Sequence, residues 1–256
     1  MLISAGNIIS ESIKLYRDNA KLFLQYMGLL FIPAAITSVL ALFGNNGAMV
    51  FINLLVAIAA AVVSIWISIA FIRAVVDRYQ NKKAGAIQPE LQKATEMILP
   101  VVLVSILTGL AVLGGLILLI IPGIIFAVWF AFSYYIVILD NKKGTEALKA
   151  SKQMVQGRWF GVFWRLLAPG IVFALLGFIA QAIIMLPFRP IMDTQMGVML
   201  ASFFSSAVAL VIAPFGSAAQ SILYIELKKT PAAVNMSPEA NRETKMDDSN
   251  MKEEKK

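Results

Sequence analysis

Charge is absent from Leu22 to Ile72, a run of 51 residues, and again from Ile98 to Leu139, a run of 42. A helix rising 1.5 Å per residue needs about 20 apolar residues to cross ~30 Å of hydrocarbon, so each run holds two membrane spans. The first run breaks at Gly44-Asn45-Asn46-Gly47, which predicts spans at about 22–43 and 48–72. The second can reverse at Gly114-Gly115 or at Pro122-Gly123. The Pro-Gly step is favoured because the residue before a proline resists helix, and it predicts spans at about 98–121 and 123–139. A reversal as apolar as Leu119 to Ile124 is expected to satisfy its freed backbone groups against neighbouring helices. Later apolar runs predict spans at about 166–187 and 196–225, joined by a turn from Pro187 to Asp193. Pro33 and Pro214 are expected to kink the first and sixth spans.

The polar segments carry a different period. Asn7, Glu11, Lys14, Asp18 and Lys21 recur at steps of three and four, with Ile9, Ile13, Tyr16 and Phe23 on another face. That pattern predicts a surface helix at about 7–21, and similar reasoning predicts two more at about 89–97, where Pro89 suits a first turn, and 145–157, ended by Gly157. Alternating acidic and basic residues exclude a signal peptide at the start. The expected fold is an all-α membrane protein with six transmembrane helices arranged as three hairpins, each preceded by a cytoplasmic amphipathic helix. The segment 226–256, with seven basic and seven acidic residues, is expected to be disordered.

The segments SIKLYRDNAKLFLQYMGLL, ELQKATEMILPVVLVSILTGL and ALKASKQMVQGRWFGVFWRLL share one pattern, a basic amphipathic stretch leading into an apolar hairpin. Three related two-span units would produce it. So would any six-span chain with evenly placed inside charges.

Composition narrows the chemistry. Residues are 59% hydrophobic and 14% charged, and there is no Cys or His. Disulfides, thiol nucleophiles, imidazole bases and His or Cys metal sites are thereby excluded. Segments 1–21, 73–97, 140–165 and 226–256 hold 3, 5, 6 and 7 of the 22 Lys and Arg, and Arg189 is the remaining one. The positive-inside rule then places both termini and the surface helices in the cytoplasm. The net charge of +7 flanks apolar runs, so it points to a membrane surface and not to nucleic acid.

The runs IPGIIFAVWFAFSYYIVILD at 121–140 and GTEALKASKQMVQGRWFGVFWRLL at 144–167, with SIKLYRDN at 12–19, resemble the membrane domain that accompanies some glycerophosphoryl diester phosphodiesterases, and the related bacterial inner-membrane proteins of the YciC type. The resemblance covers nearly all of residues 1–225. Its most specific part is Ile121-Pro122-Gly123-Ile124 ahead of an acidic residue and an Ala-Leu-Lys-x-Ser helix, with Asp140 where the family often has glutamate. It implies the helical fold and an inner-membrane location. The 31-residue tail, lacking histidine, is not expected to supply the phosphodiesterase domain.

Candidate sites follow from residue type and position. Lys14, Arg17, Lys21, Lys149, Lys152, Arg158 and Arg165 are candidates for holding lipid headgroups, the last two interleaved with Trp159, Phe160, Phe163 and Trp164 at headgroup depth. The same residues also read as ordinary anchors. Asp140, beside Lys142 and Lys143, is a boundary acid that either stops insertion or binds; Glu226, beside Lys228 and Lys229, reads alike. Pro122 and Gly123 form the structural turn. Gly109, Gly114, Ala201 and Ser205 permit close helix packing. Asn53, Ser64, Ser68, Gln181, Ser206 and Gln220 either line a polar cavity or bond across helices.

No Asp, Glu, Lys or Arg lies near the centre of a predicted span, which disfavours ion-coupled transport and intramembrane acid-base chemistry. The expected function is a non-enzymatic scaffold or lipid-associated accessory protein of the bacterial cytoplasmic membrane, with membrane lipids, anionic ones included, as partners. No catalytic residue, metal, cofactor or nucleic acid is expected. The alternative is an uncoupled transporter for a lipid or other apolar substrate, using the helices kinked at Pro33 and Pro214; a membrane enzyme using Asp140 with a lysine is the remaining class.

Overall fold

Ser4 starts the first helix: its hydroxyl accepts the Asn7 N–H at 3.1 Å, satisfying one of the donors that a helix start leaves unpaired. Helix α1, Ala5–Asp18, buries Ile8, Ser12 and Leu15, whose spacing puts them on one face. It stops at Asn19, whose backbone N–H reaches the Leu15 and Tyr16 carbonyls and whose side-chain amide donates to Leu15 at 3.0 Å. The next helix begins at once, so the surface helix expected to run to residue 21 ends at Asp18.

The computed structural model describes residues 2–40, 47–82 and 87–230, without the side chain of Gln195. The expected turn at Gly44-Asn45-Asn46 and the tail beyond Thr230 lie outside the described residues. After α1 come α2 (Ala20–Leu40), α3 (Gly47–Tyr79), α4 (Ile87–Thr95), α5 (Ile98–Leu118), α6 (Ile120–Phe130), α7 (Ser133–Asp140), α8 (Gly144–Val155), α9 (Trp159–Met185), a 3-10 turn at Leu186–Ile191, and α10 (Gln195–Lys229). No strand occurs among the described residues. Among the described residues six stretches are long and apolar enough to cross a membrane: Ala20–Leu40, Gly47–Tyr79, Ile98–Leu118, Ile120–Asp140, Trp159–Ile191 and Met196–Lys229. Pro33 and Pro214 lie inside α2 and α10, which continue through them.

The chain divides into two compact units. One takes Ile3–Val102 and Trp164–Leu223; the other takes, of the described residues, Leu2, Leu103–Phe163 and 224–230. In the first unit α2 lies against α3, and α3 against α4; in the second, α8 lies against α6 and α7. Helix α3 has 33 residues, about 50 Å at 1.5 Å each, which exceeds ~30 Å of hydrocarbon. Its last turns carry Arg73, Asp77 and Arg78.

The reversal in the second apolar run differs from expectation. It falls at Leu119, where φ is −165° and ψ 153°, and Pro122 sits inside the first turn of α6. A first-turn residue has no intrahelical acceptor for its N–H, so proline costs nothing there. Among the described residues no backbone bond from a neighbouring helix reaches this turn; the last bond of α5 is Leu119 N–H to Gly115 at 3.0 Å, and the first of α6 is Gly123 N–H to Leu119 at 3.3 Å. Close approach occurs here: a Cβ on Gly123 would stand 2.4 Å from the Leu116 side chain, and one on Gly115 would stand 2.9 Å from the Gly123 Cα. The glycines expected to serve close packing, Gly109 and Gly114, instead have open space around them.

Candidate functional site

The functional groups gather at the ends of the spans, and in the first unit they start from how α3 terminates. Asn81 adopts φ +57°, the left-handed conformation that asparagine tolerates better than most residues. Its N–H donates to the Arg78 carbonyl at 3.0 Å, and the Lys82 N–H donates to Asp77 at 2.8 Å, the paired bonds of a Schellman closure. This turns the chain back and sets Lys82 beside the last turn that carries Arg78.

One turn earlier, Arg73 Nε donates to Glu90 Oε2 at 2.9 Å while Lys93 Nζ donates to Oε1 at 3.2 Å. Glu90 is only 4% exposed. Burial alone would raise its pKa, but the hydrogen bonds and charges of Arg73 and Lys93 outweigh that and hold it below the usual carboxylate value. Trp66 Nε1 donates to the Leu91 carbonyl at 2.7 Å. Together these bonds fasten α4 to α3.

Around Arg78 the surface is hollow. A groove of about 440 Å³ is lined by Lys14, Arg78 and Lys82 with Glu11, Asp18 and Asn19 among others. A second depression of about 670 Å³ shares Asp18, Asn19 and Arg78 and adds Lys21, Gln25 and Gln88. Arg78 Nε is buried with no hydrogen-bond partner. Of the expected headgroup residues, Lys14 and Lys21 therefore line hollows, whereas Arg17 stands largely exposed with only the neighbouring Asp18 carboxylate, at 3.4 Å. Arg165 is turned inward and donates through Nε to the Ile3 carbonyl.

In the second unit Asp140 closes α7. Its Oδ2 accepts the Tyr224 hydroxyl at 2.8 Å and its Oδ1 accepts Lys228 Nζ at 2.5 Å. Arg158 donates through Nε to the Met154 carbonyl at 2.9 Å, through Nη2 to Leu227 at 2.9 Å, and through Nη1 to Thr230. It thus satisfies carbonyls that the end of α10 leaves without partners. Desolvation pulls its pKa below the ordinary guanidinium value. Lys152 stands 4.3 Å from the centre of the Trp129 ring, Lys149 is exposed, and Glu226 pairs with Lys229 at 2.6 Å. Ser151, the serine of the Ala-Leu-Lys-x-Ser run, is fully buried. Its hydroxyl donates to the Trp129 carbonyl at 2.7 Å and accepts the Phe132 N–H at 3.2 Å, bridging the break between α6 and α7.

Trp159 stacks on Phe163 with ring centres 5.2 Å apart, while Phe160 and Trp164 are exposed. Among the polar residues of the spans, Gln181 donates to the hydroxyl of Ser205 at 2.5 Å, and Ser206 donates to the Ser202 carbonyl at 2.9 Å. No cluster of Asp and Glu suited to a metal occurs among the described residues. Sequence reading passed over Arg78, Lys82, Arg73 and Glu90. The available signal was the charged end of a long apolar helix, with Arg73, Asp77 and Arg78 in its last turns. Comparison with known proteins finds no family model, no curated protein and no solved structure that matches the chain.

Proposed function

We propose that this chain is a non-enzymatic membrane scaffold or lipid-associated accessory protein. The observation supporting it is how the charged groups nearest the spans are used. Glu90 is held by Arg73 and Lys93, Asp140 by Tyr224 and Lys228, and Arg158 and Arg165 donate to backbone carbonyls. Groups committed to fastening helix ends are poor carriers of protons or ions, and the long apolar runs hold none at their centres.

In this reading the six spans form three hairpins, each entered through an amphipathic helix on the cytoplasmic face of a bacterial inner membrane. Both termini lie inside, and the resemblance to the phosphodiesterase-associated and YciC-type membrane domains is one of architecture. The basic residues of the surface helices meet anionic lipid, each contributing about 1 kcal/mol near such a surface. Reconstitution into vesicles tests the central claim. Purified protein should bring co-purifying lipid or protein partners and should not raise the transbilayer movement of labelled lipid above protein-free vesicles; a protein-dependent flux would make it a transporter. Asp193→Cys should label from outside intact cells and Gln156→Cys should not. Reversed labelling would overturn the orientation.

A further inference from the structure

At the reversal between α5 and α6 five consecutive branched side chains, Ile117, Leu118, Leu119, Ile120 and Ile121, stand between 68% and 84% exposed. A contiguous apolar surface of this kind marks an interaction site. There is no room behind the tip to fold these side chains inward. A Cβ on Gly115 would already stand 2.8 Å from the Phe126 ring and 2.9 Å from the Gly123 Cα, so the two helices meet backbone to backbone there. The nearest charged residues in the sequence are Glu96 and Asp140, at the far ends of the two legs.

Leg length and backbone chemistry decide what covers the tip. Helix α5 has 21 residues and Ile120–Asp140 another 21, so neither leg spans more than about 31 Å, against ~30 Å of hydrocarbon. With Glu96 and Asp140 at one edge of the hydrocarbon, the tip ends at the other edge and does not clear it. The reversal after α9 is built differently: Trp159–Ile191 has 33 residues, about 50 Å, and its turn exposes Arg189 and Asp193. At the apolar tip the carbonyls of Leu116, Ile117 and Leu118 and the N–H groups of Ile120 and Ile121 have no partner within their helices, and none from elsewhere among the described residues. Such groups are costly in pure hydrocarbon. They are met where ester and glycerol oxygens border the acyl chains. Resting on the reading of the apolar runs as membrane spans, we propose that the tip is a lipid-binding wedge at the bilayer interface farthest from Asp140. Its five side chains lie among acyl chains, and its free backbone groups face ester oxygens and water. Because no charge lies between Glu96 and Asp140, the contact accepts any glycerolipid whatever its headgroup charge, unlike the attraction of basic segments to anionic lipid.

The chain has no cysteine, so nitroxide labels can be placed one at a time on the full chain in phosphatidylcholine vesicles. Leu110→Cys, Leu118→Cys, Ile120→Cys and Asp193→Cys serve, since all four positions are exposed. Collisions with oxygen, which concentrates in hydrocarbon, and with a neutral water-soluble nickel chelate on both sides report depth. Leu110 lies eight residues before Leu118 on α5, about 12 Å along the helix. The oxygen-to-nickel ratio should therefore be highest at Leu110, lower at Leu118 and Ile120, and lowest at Asp193. Replacing phosphatidylcholine with phosphatidylglycerol should leave the values at Leu118 and Ile120 unchanged. These two residues flank the turn on separate helices, so either decides if the other label disturbs folding. Nickel access at the tip equal to that at Asp193 would put it in water, and oxygen access equal to that at Leu110 would put it in the bilayer interior. Exclusion of both reagents from an immobilised label would mean that protein, a second copy included, covers it. Any of these results, or dependence on headgroup charge, would overturn the wedge. An aqueous reading at Leu110 as well would remove the spans and the wedge together, whereas lipid flux in vesicles would remove the scaffold reading and leave the depth of the tip unchanged.

Discussion

The two units each fix a short helix to a long apolar one, and they use different chemistry to do so. In the first, α4 is held by charge: its Glu90 is buried against Arg73 of α3, with Trp66 donating to the adjoining Leu91 carbonyl. In the second, α8 is held by a neutral hydroxyl, Ser151, which completes the backbone at the α6–α7 break, and by Lys152 over the Trp129 ring. The acid of the second unit, Asp140, binds α10 instead. Equivalent-looking amphipathic stretches therefore share a pattern of apolar positions without sharing fastenings. An ion pair out of water is costly to break halfway, whereas a hydroxyl bridge loses only ordinary hydrogen bonds.

The largest test of that contrast is Glu90→Ala, which removes the carboxylate that Arg73 and Lys93 share. It should cost about 3 kcal/mol, read as a lower melting temperature in detergent. Adding Arg73→Met should recover much of the loss; no recovery would mean that the pair is not the fastening. Gly123→Leu comes next, because its side chain must displace Leu116 and the Leu116 backbone N lies 2.9 Å from the new Cβ. A loss of about 2 kcal/mol is expected from overpacking, and unchanged melting would show the turn to be loose. Ser151→Ala should cost about 1.5 kcal/mol by orphaning the Phe132 N–H and Trp129 carbonyl. Faster amide exchange at Phe132 would accompany it, and protection equal to the parent would contradict the bridge.

Acid separates the units without mutation. Because the folded-state pKa of Glu90 is depressed, its contribution is complete above the ordinary value of 4.5 and is lost as pH falls through the lower folded value. The parent should lose melting temperature on acidification below about that ordinary value, 4.5, and Glu90→Gln should flatten that part of the profile. An equal slope in both would assign the effect elsewhere. The smallest change belongs to Lys228→Gln, since Lys228 is more than half exposed and such pairs contribute less than about 1 kcal/mol.

What the sequence disclosed and what it hid divide along physical lines. Long apolar runs and three-and-four spacing are local, so six apolar helices and helices near 5–18, 87–95 and 144–155 were visible, while α3 runs on to Tyr79 and α9 starts at Trp159, seven residues beyond the expected spans, because helix continues past the last apolar residue. The reversal at Leu119 was not visible, because all six residues from Leu116 to Ile121 are apolar and nothing among them marks a break except the proline, which helices also accept at their start. Arg158 and Arg165 looked like headgroup ligands because aromatic residues surround them. Their acceptors are main-chain carbonyls 69 and 162 positions away, and a carbonyl leaves no trace in residue identity. Glu90 and Arg73 are 17 residues apart on different helices, a distance at which spacing carries no signal.

The bond from Arg165 to Ile3 also has a place in time. A ribosome delivers Ile3 first and Arg165 162 residues later, and at 5 to 20 residues per second that interval is roughly 10 to 30 s. Throughout it the start of α1 has Ser4 to cap it but lacks this latch, while the residues of α2 to α8 are already being made. The opening helix of the chain is thus among the last parts to acquire its final restraint during biosynthesis.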